Sequence, residues 1–401
     1  ECDFERLLLR LVKQASRNGA AQIHVRDNTG HLKIGYQAEY FSFDTSYNQW
    51  KLAKTTEVDS KTNGVAIQAV SLDTSDSELV EEYCNLENEC FKFGPYRKHW
   101  VSVPKRRLVM ALPYASRIVQ WAIYLELNPF YDRMMIEDSY ACRKGKGSLA
   151  AAKRLQYWLQ QAESKPGKQY VLKLDISKYF YRVDHAVLLD ILGERIKDPK
   201  LMRLLDNIIN CDSERFGLPR FMGPEDVEDE DWLFDRGMPI GNLTSQLFAN
   251  IYLDQLDQFC KHFLHIHRYV RYMDDVVILA DSKEQANEYL EQIARFLADR
   301  LHLDLNRKTC ISPADRVEFV GYIVTARELR LRKATVRRIK GAFRGICKLY
   351  FAGKMSKEAF DRRVASYRGM IEHCPNEKIK VRLNEIYLHA KTAAQEERRA
   401  A

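Results

Sequence analysis

Long apolar runs are absent from this chain. The longest stretch without a charged side chain, Gly237 to Leu253, is interrupted by Pro239, Asn242, Thr244, Ser245, Gln246 and Asn250, so no segment can cross a bilayer as a helix. No CxxC pair occurs among the nine cysteines, and their number is odd. This argues against a zinc site and against a disulfide framework, and leaves reduced thiols in a cytoplasmic protein as the simpler reading. Glycine (18) and proline (11) are scarce, which excludes collagen-like and low-complexity chains. Charge of one sign is not in large excess. The 63 basic and 55 acidic side chains leave a net +8, which suits a polyanionic partner without identifying one. The chain opens on Glu1 rather than Met, and its first residues lack the basic-then-apolar pattern of a signal peptide.

What is present is enough apolar content for a sizeable core: 46% of the 401 residues are hydrophobic and 29% charged, which excludes wholesale disorder. At roughly 150 residues per domain, two or three compact units are expected. Phe4 to Ser16 has helical spacing, and residues 18–76 read as a polar, β-rich insertion or a set of loops. Glu78 to Phe91 is read as a helix. Residues 99–103 and 105–112 are read as two strands joined near Pro104. Helices are expected over Tyr114 to Leu127, Ser148 to Ala162, Asp184 to Ile196, Leu243 to Phe263 and Lys283 to Leu301. Strands are expected over Gln169 to Ile176, within Arg268 to Ala280, and as a pair around Gly321. The acidic loop from Phe216 to Asp235 reads as solvated surface, and the chain from Thr335 onward as basic helices. No internal repeat is visible. Mixed strands and helices followed by a helical end predict an α+β architecture rather than a doubly wound parallel sheet.

The chemistry concentrates in three carboxylates. Asp175 ends an apolar strand in which Val171, Lys173 and Asp175 share one face. Asp274 and Asp275 interrupt a second apolar stretch, where an unpaired carboxylate is costly to bury. Three acids brought together repel unless a cation neutralises them, and Mg²⁺ prefers carboxylate oxygens together with substrate phosphates. Such a set suits two-metal phosphoryl transfer. A two-residue turn near Met273–Asp274 would make a hairpin and lift the acids to its tip. On a flat strand the two adjacent acids would face opposite sides, which favours Asp274 over Asp275 as the direct ligand.

These residues lie in segments that together resemble reverse transcriptases. LDISKYF (174–180), GMPIGNLTSQLFANIYLDQLD (237–257), RYMDD (271–275), LDLNRKT (303–309) and EFVGY (318–322) follow one another in the family's order. PKRRLVMALPYASRIVQWAI (104–123) and DSYACRKGKGSLAA (138–151) resemble the finger motifs of the bacterial enzymes. The resemblance runs from about Phe93 to the end. It implies a right-hand polymerase fold: an N-terminal helix plus variable insertion over 1–92, fingers over 93–168, a palm over 169–325 with an acidic loop at 212–236, and a basic helical thumb over 326–401. The activity implied is RNA-directed DNA synthesis with two Mg²⁺ ions, or Mn²⁺ in their place. Asp175, Asp274, Asp275 and the backbone carbonyl of Ile176 would be the ligands.

The resemblance also implies roles for other residues. Phe180 would lie under the sugar of the incoming nucleotide and exclude a 2′-hydroxyl. Lys105, Arg107 and Arg117 would meet the triphosphate, and Ile240, Gly241 and Gln246 would line the nucleotide site. Lys308 would act as general acid to the departing pyrophosphate. Arg143, Lys144 and Lys146 would contact the template. Phe319, Gly321 and Tyr322 would form the primer grip, and Arg337 and Lys340 would follow the RNA–DNA hybrid.

Within the bacterial enzymes the sequence most resembles the diversity-generating retroelement branch, through IGNLTSQ, SYACRKGKG and ASYRGMIEH (365–373). Ile240 stands where most relatives carry a Gln that could hydrogen-bond near the nucleotide, so lower fidelity is expected. That branch implies a structured non-coding RNA and a small basic accessory protein as partners, beside template, hybrid and dNTPs, and no membrane. Antiphage-defence, CRISPR-associated and group II intron-like systems remain open alternatives, as does an inactive RNA-binding scaffold.

Overall fold

The computed structural model describes residues 2–4, 6–8, 10, 22–27, 39–44, 49–54, 67–73, 85–86, 88–101, 106–164, 166–211, 213–374 and 377–400. The described elements begin with strands β1 (Gln22–Asp27), β2 (Glu39–Asp44), β3 (Gln49–Lys54), β4 (Ile67–Asp73), β5 (Arg97–Val101) and β6 (Arg107–Ala111). Helices α1 (Tyr114–Met134) and α2 (Ser148–Glu163) follow, then β7 (Tyr170–Asp175), α3 (His185–Gly193), α4 (Pro199–Ile209) and α5 (Leu243–Gln258). Next come β8 (Tyr269–Tyr272), β9 (Asp275–Ala280) and α6 (Lys283–Leu301). The chain ends with β10 (Cys310–Pro313), β11 (Val317–Phe319), β12 (Tyr322–Val324), β13 (Leu329–Leu331), α7 (Lys333–Phe351), α8 (Lys357–Glu372) and α9 (Glu377–Ala400). Every described strand pair is antiparallel, in keeping with the α+β reading. Among the described residues no helix is long and apolar enough to cross a membrane, and the described cysteines are all free thiols.

The chain forms two compact units. The first comprises Glu1–Ile136, Ile176–Gln258 and Arg295–Asp304. Here β1 pairs with β4, β2 with β3, and β5 with β6. Sequence explains its helices directly. α4 starts where the Asp198 carboxylate accepts the N–H groups of Lys200 and Leu201, with Pro199 in the first turn. It buries Leu201, Leu204, Leu205, Ile208 and Ile209, a stripe at helical spacing. α3 starts at Asp184, whose side chain accepts from the Val187 N–H. α1 runs to Met134 through Pro129, past the end that the sequence pattern marked at Leu127.

One expectation changes in this unit, and one is refined. The helix read over Glu78 to Phe91 does not persist through its described end, where only Asn85 and Leu86 are helical. Glu89 takes φ of 59°, and the Cys90 and Glu89 N–H groups return to the Asn85 and Leu86 carbonyls, a left-handed helix stop. The acidic loop keeps Glu225, Asp226, Glu228, Asp229, Glu230 and Asp231 exposed, as read, and is anchored by other residues. Trp232 is buried with Leu108, Met110, Phe216 and Leu218, while Glu214 pairs with Lys98 at 2.6 Å and Glu225 lies 3.7 Å from Arg106. The loop is thereby fastened to the β5–β6 hairpin.

The second unit comprises Glu137–Asp175, Phe259–Ala294 and Leu305–Ala401. Its main sheet has the order β10-β7-β9-β8, and a smaller sheet the order β11-β12-β13. α2 covers them with Ala151, Ala152, Leu155 and Leu159, which meet Val171 of β7, Val277 and Leu279 of β9, and Phe319, Val324 and Leu331. Residues 276–280 are buried on both faces, which explains their unbroken apolar run. α7, α8 and α9 share a second cluster around Phe343, Ile346, Cys347, Phe360 and Ile386. The long helix read over Leu243 to Phe263 is α-helical to Gln258, and Phe259–Phe263 forms a π-helical turn.

Candidate active site

The alternation of β7 leaves Lys173 and Asp175 half-buried on one face while Leu172 and Leu174 are buried on the other. In the hairpin, Tyr272 pairs with Asp275, so Met273 and Asp274 form a two-residue turn. Met273 takes φ of 56°, a left-handed conformation that a side-chain-bearing residue adopts at a cost of about 1–2 kcal/mol.

Across the sheet, Asp175 is the direct partner of Asp275. The backbone of Asp175 points the other way: its N–H donates to Thr309 Oγ1 at 3.3 Å, and its carbonyl accepts from the Asn306 N–H at 2.7 Å. The Asp175–Asp275 pair is therefore of the non-hydrogen-bonded kind, in which opposed Cα atoms lie about 4.5 Å apart and the side chains are closest. Asp275 is the cross-strand partner of Asp175, and Asp274 occupies the turn, half-buried. Asp274 lies in the turn and Asp275 opens β9, so the two acids do not share one flat strand.

Three further features support this face. Lys173 Nζ lies 3.6 Å from Asp275 Oδ1 and donates to the Glu318 carbonyl at 3.0 Å. The turn carrying Lys308 is anchored to Asp175 through Asn306 and Thr309, and Lys308 itself is exposed, its backbone N–H bonded to Asn306 Oδ1. Arg271 is the largest fully buried side chain of the described residues. It donates to the Met273 carbonyl at 3.1 Å and to Ser139 Oγ at 3.0 Å. Burial also pushes the phenol of neighbouring Tyr272 above its ordinary value.

Two facing carboxylates are hard oxygen donors and fit Mg²⁺, which keeps several of its own waters. Among the described residues, however, no group of three or more His, Cys, Asp or Glu side chains is gathered closely enough to hold a metal. The structure pairs Asp175 with Asp275 across the sheet and places Asp274 next to Asp275 in the turn.

The first unit brings several other sequence-predicted residues together. The Phe180 carbonyl accepts the Met238 N–H at 2.7 Å, and the Ile240 carbonyl accepts the Met110 N–H at 2.8 Å. Phe180, the Ile240–Gly241 segment and β6, which Arg107 opens, are therefore linked through backbone bonds. Gly241 has φ of 127°, and a Cβ there would come within 2.7 Å of the Met110 carbonyl, so only glycine fits the approach. Leu243 N–H donates to Gln120 Oε1 at 2.8 Å, and Asn242 Nδ2 to the Tyr96 hydroxyl at 2.9 Å. Arg107, Arg117 and Gln246 are exposed, and the Ile176 side chain is buried. Lys105 lies outside the described residues.

The remaining candidates lie in the second unit. Arg143 donates to the Ser139 carbonyl at 3.0 Å, and Lys146 pairs with Glu137 at 3.2 Å, while Lys144 is exposed. Two of these three cations thus hold their own loop. Phe319 and Tyr322 are buried in the core, so of the expected primer grip only the Val320–Gly321 turn is partly open; its φ values are 42° and 90°. Arg337 is exposed on α7 and Lys340 half-buried. Sequence reading missed Arg271, which looks like an ordinary strand charge. It also missed Lys173, although the alternation had placed it on the face of Asp175.

A family model described as Reverse transcriptase (RNA-dependent DNA polymerase) matches residues 97–324, more than half of the chain. The putative COX1/OXI3 intron 2 protein of Saccharomyces cerevisiae is 25% identical over 222 residues, covering 54% of this chain and 23% of that protein. The group II intron-encoded protein LtrA of Lactococcus lactis subsp. cremoris is 20% identical over 378 residues, covering 75% of this chain and 60% of that one. The chain thus spans less than two thirds of either relative. Apo telomerase from Candida tropicalis superposes with a TM-score of 0.42 at 12% identity, over 81% of this chain and 68% of that one.

Proposed function

The chain belongs to the reverse transcriptase (RNA-dependent DNA polymerase) family, with its right-hand polymerase fold of helices and antiparallel sheets, and we propose that it copies RNA into DNA by metal-assisted nucleotidyl transfer. The observation that carries this reading is the Asp175–Asp275 pair beside the Met273–Asp274 turn. Asp175, Asp275 and Asp274 would hold the divalent ions, joined by the Ile176 carbonyl. When bound, these ions supply activation of the primer 3′-hydroxyl and neutralisation of the leaving pyrophosphate.

The chain's own residues supply the rest. Phe180 excludes a 2′-hydroxyl by steric contact. Lys105, Arg107 and Arg117 pair with triphosphate oxygens, for which Arg is suited to two-point contact. Ile240, Gly241 and Gln246 line the nucleotide site. Ile240 offers no hydrogen bond there, which relaxes geometric selection. Lys308 donates a proton to the leaving group. Lys144, with Arg143 and Lys146 behind it, meets the template, and Arg337 and Lys340 meet the hybrid. In the terms of the fold, we assign 93–168 to fingers, 169–325 to palm and 326–401 to thumb, with 1–92 preceding them.

The system it serves has two readings. IGNLTSQ and SYACRKGKG support an error-prone enzyme of a diversity-generating retroelement, working with a structured RNA and a small basic protein. Intron-encoded proteins among its relatives favour an intron-like enzyme instead. Incubation with Mg²⁺, a primed RNA and all four dNTPs, followed by product sequencing, tests both. Templated cDNA with errors concentrated at template adenines supports the first, faithful cDNA the second. No incorporation with any primed RNA would refute the polymerase reading.

A further inference from the structure

We propose that Arg271 is a positioning residue that sets the Met273–Asp274 turn and thereby the geometry of the carboxylates. The inference rests on the metal-site reading above. Arg271 is fully buried, where a guanidinium is costly unless its donors are satisfied. One donor goes to the carbonyl of Met273, the residue with left-handed backbone. That carbonyl and the Asp274 N–H belong to one planar peptide, so fixing the oxygen fixes the direction in which the chain enters Asp274. A second donor goes to Ser139 Oγ.

The segment around Ser139 is itself immobilised. The Arg271 N–H donates to the Asp138 carbonyl at 2.9 Å, and the Tyr140 N–H to the Arg271 carbonyl at 3.0 Å. The buried Asp138 carboxylate accepts from Arg154 Nε at 2.7 Å and Lys261 Nζ at 2.9 Å. The guanidinium is thus a strut between an anchored segment and the tip of the hairpin. The planar fork of Arg can reach two acceptors in fixed directions, which the single ammonium of Lys cannot reproduce.

The test measures Mn²⁺ binding to the full chain, by the electron paramagnetic resonance signal of free Mn²⁺, without nucleic acid or nucleotide. Arg271→Lys is expected to bind Mn²⁺ about 10- to 100-fold more weakly, the range found when a supporting partner of metal ligands is removed. In EDTA it should still melt in one cooperative transition, at a lower temperature than the parent, which shows that it is folded, and added guanidinium should restore part of the affinity in Arg271→Ala. Ser139→Ala, which keeps the charge, is the second variant, and a smaller loss in the same direction is expected. If Asp274→Asn weakens binding while folded Arg271→Lys and Ser139→Ala bind as the parent does, Arg271 is structural only and the proposal is wrong. If Asp274→Asn itself binds Mn²⁺ unchanged, the metal-site reading fails and takes the proposal with it.

Discussion

Asp175 and Asp275 stand directly opposite each other on neighbouring antiparallel strands, in a pair whose backbones do not bond to one another. Like charges so placed destabilise a sheet by about 0.2–1 kcal/mol. In EDTA, Asp175→Asn should therefore raise the unfolding free energy by roughly that amount. In Mg²⁺ it should reduce nucleotide incorporation about 10³-fold or more, since a group that stabilises transition-state charge is gone. Urea titration and single-nucleotide extension provide the two readouts. Loss of stability together with retained synthesis would mean that the pair is structural.

Lys173 pairs with Asp275 and would compete with a divalent cation there. At the 3.6 Å separation observed, and with both side chains partly exposed, the attraction amounts to about 1 kcal/mol in water-like surroundings, or about fivefold in an equilibrium. Lys173→Met should lower the Mg²⁺ concentration for half-maximal synthesis by up to that factor, more so at low ionic strength. A higher Mg²⁺ requirement would instead make Lys173 a support for the carboxylate.

Gly237 opens the segment that carries Ile240 and Gly241. Its φ is 88°, and a Cβ there would sit 2.4 Å from the Phe216 carbonyl oxygen. Left-handed backbone alone costs an L-residue about 1–2 kcal/mol, and the backbone clash adds to it. Gly237→Ala should lower the urea midpoint by at least that equivalent. An unchanged midpoint would show that the loop re-forms elsewhere.

Reading the sequence located the elements whose signals are local. Alternation over Gln169 to Ile176 gave β7, and a break in an apolar run gave the 273–274 turn. Asp184 marked a helix start because capping is chemistry within four residues, whereas the helix capped by Asp198 was not read. What escaped depends on distant partners. Arg271 reads as a surface charge until Ser139, 132 positions away, supplies its acceptor. Gln120 reads as a polar residue on a helix, yet it bonds the backbone of Leu243, 123 positions on. The helix stop short of Phe91 has a local cause, the left-handed Glu89, for which the sequence offers no glycine as a cue. The pairing of Asp275 with Asp175 depends on register, which one residue of slippage would change.

The cysteines differ in reactivity for physical reasons. Burial pushes the Cys347 thiol up to about 11, so at pH 8 it remains protonated and poorly nucleophilic. Cys90, Cys142 and Cys310 are exposed, but burial raises the Cys142 thiol, which leaves Cys90 and Cys310 as the more reactive two. Iodoacetamide at pH 8 should modify these two first and leave Cys347 untouched until denaturant is added. Peptide mass mapping reads the order, and early labelling of Cys347 would mean that the α7–α9 cluster opens in the native state.

Asn242 is buried, and its amide donates to Tyr96, whose own ionisation is suppressed by burial. Tyr96→Phe removes one oxygen and leaves that amide without its acceptor, at a cost of about 1–3 kcal/mol. The cost falls on the segment that continues from Ile240 and Gly241 into α5, where Gln120 holds the next N–H. If that segment shapes the nucleotide site, the variant should raise KM for dNTP several-fold while kcat with saturating nucleotide changes less, and misincorporation should increase. A matched fall in kcat and in stability, with KM unmoved, would separate the loop from nucleotide binding and make Tyr96 a packing residue alone.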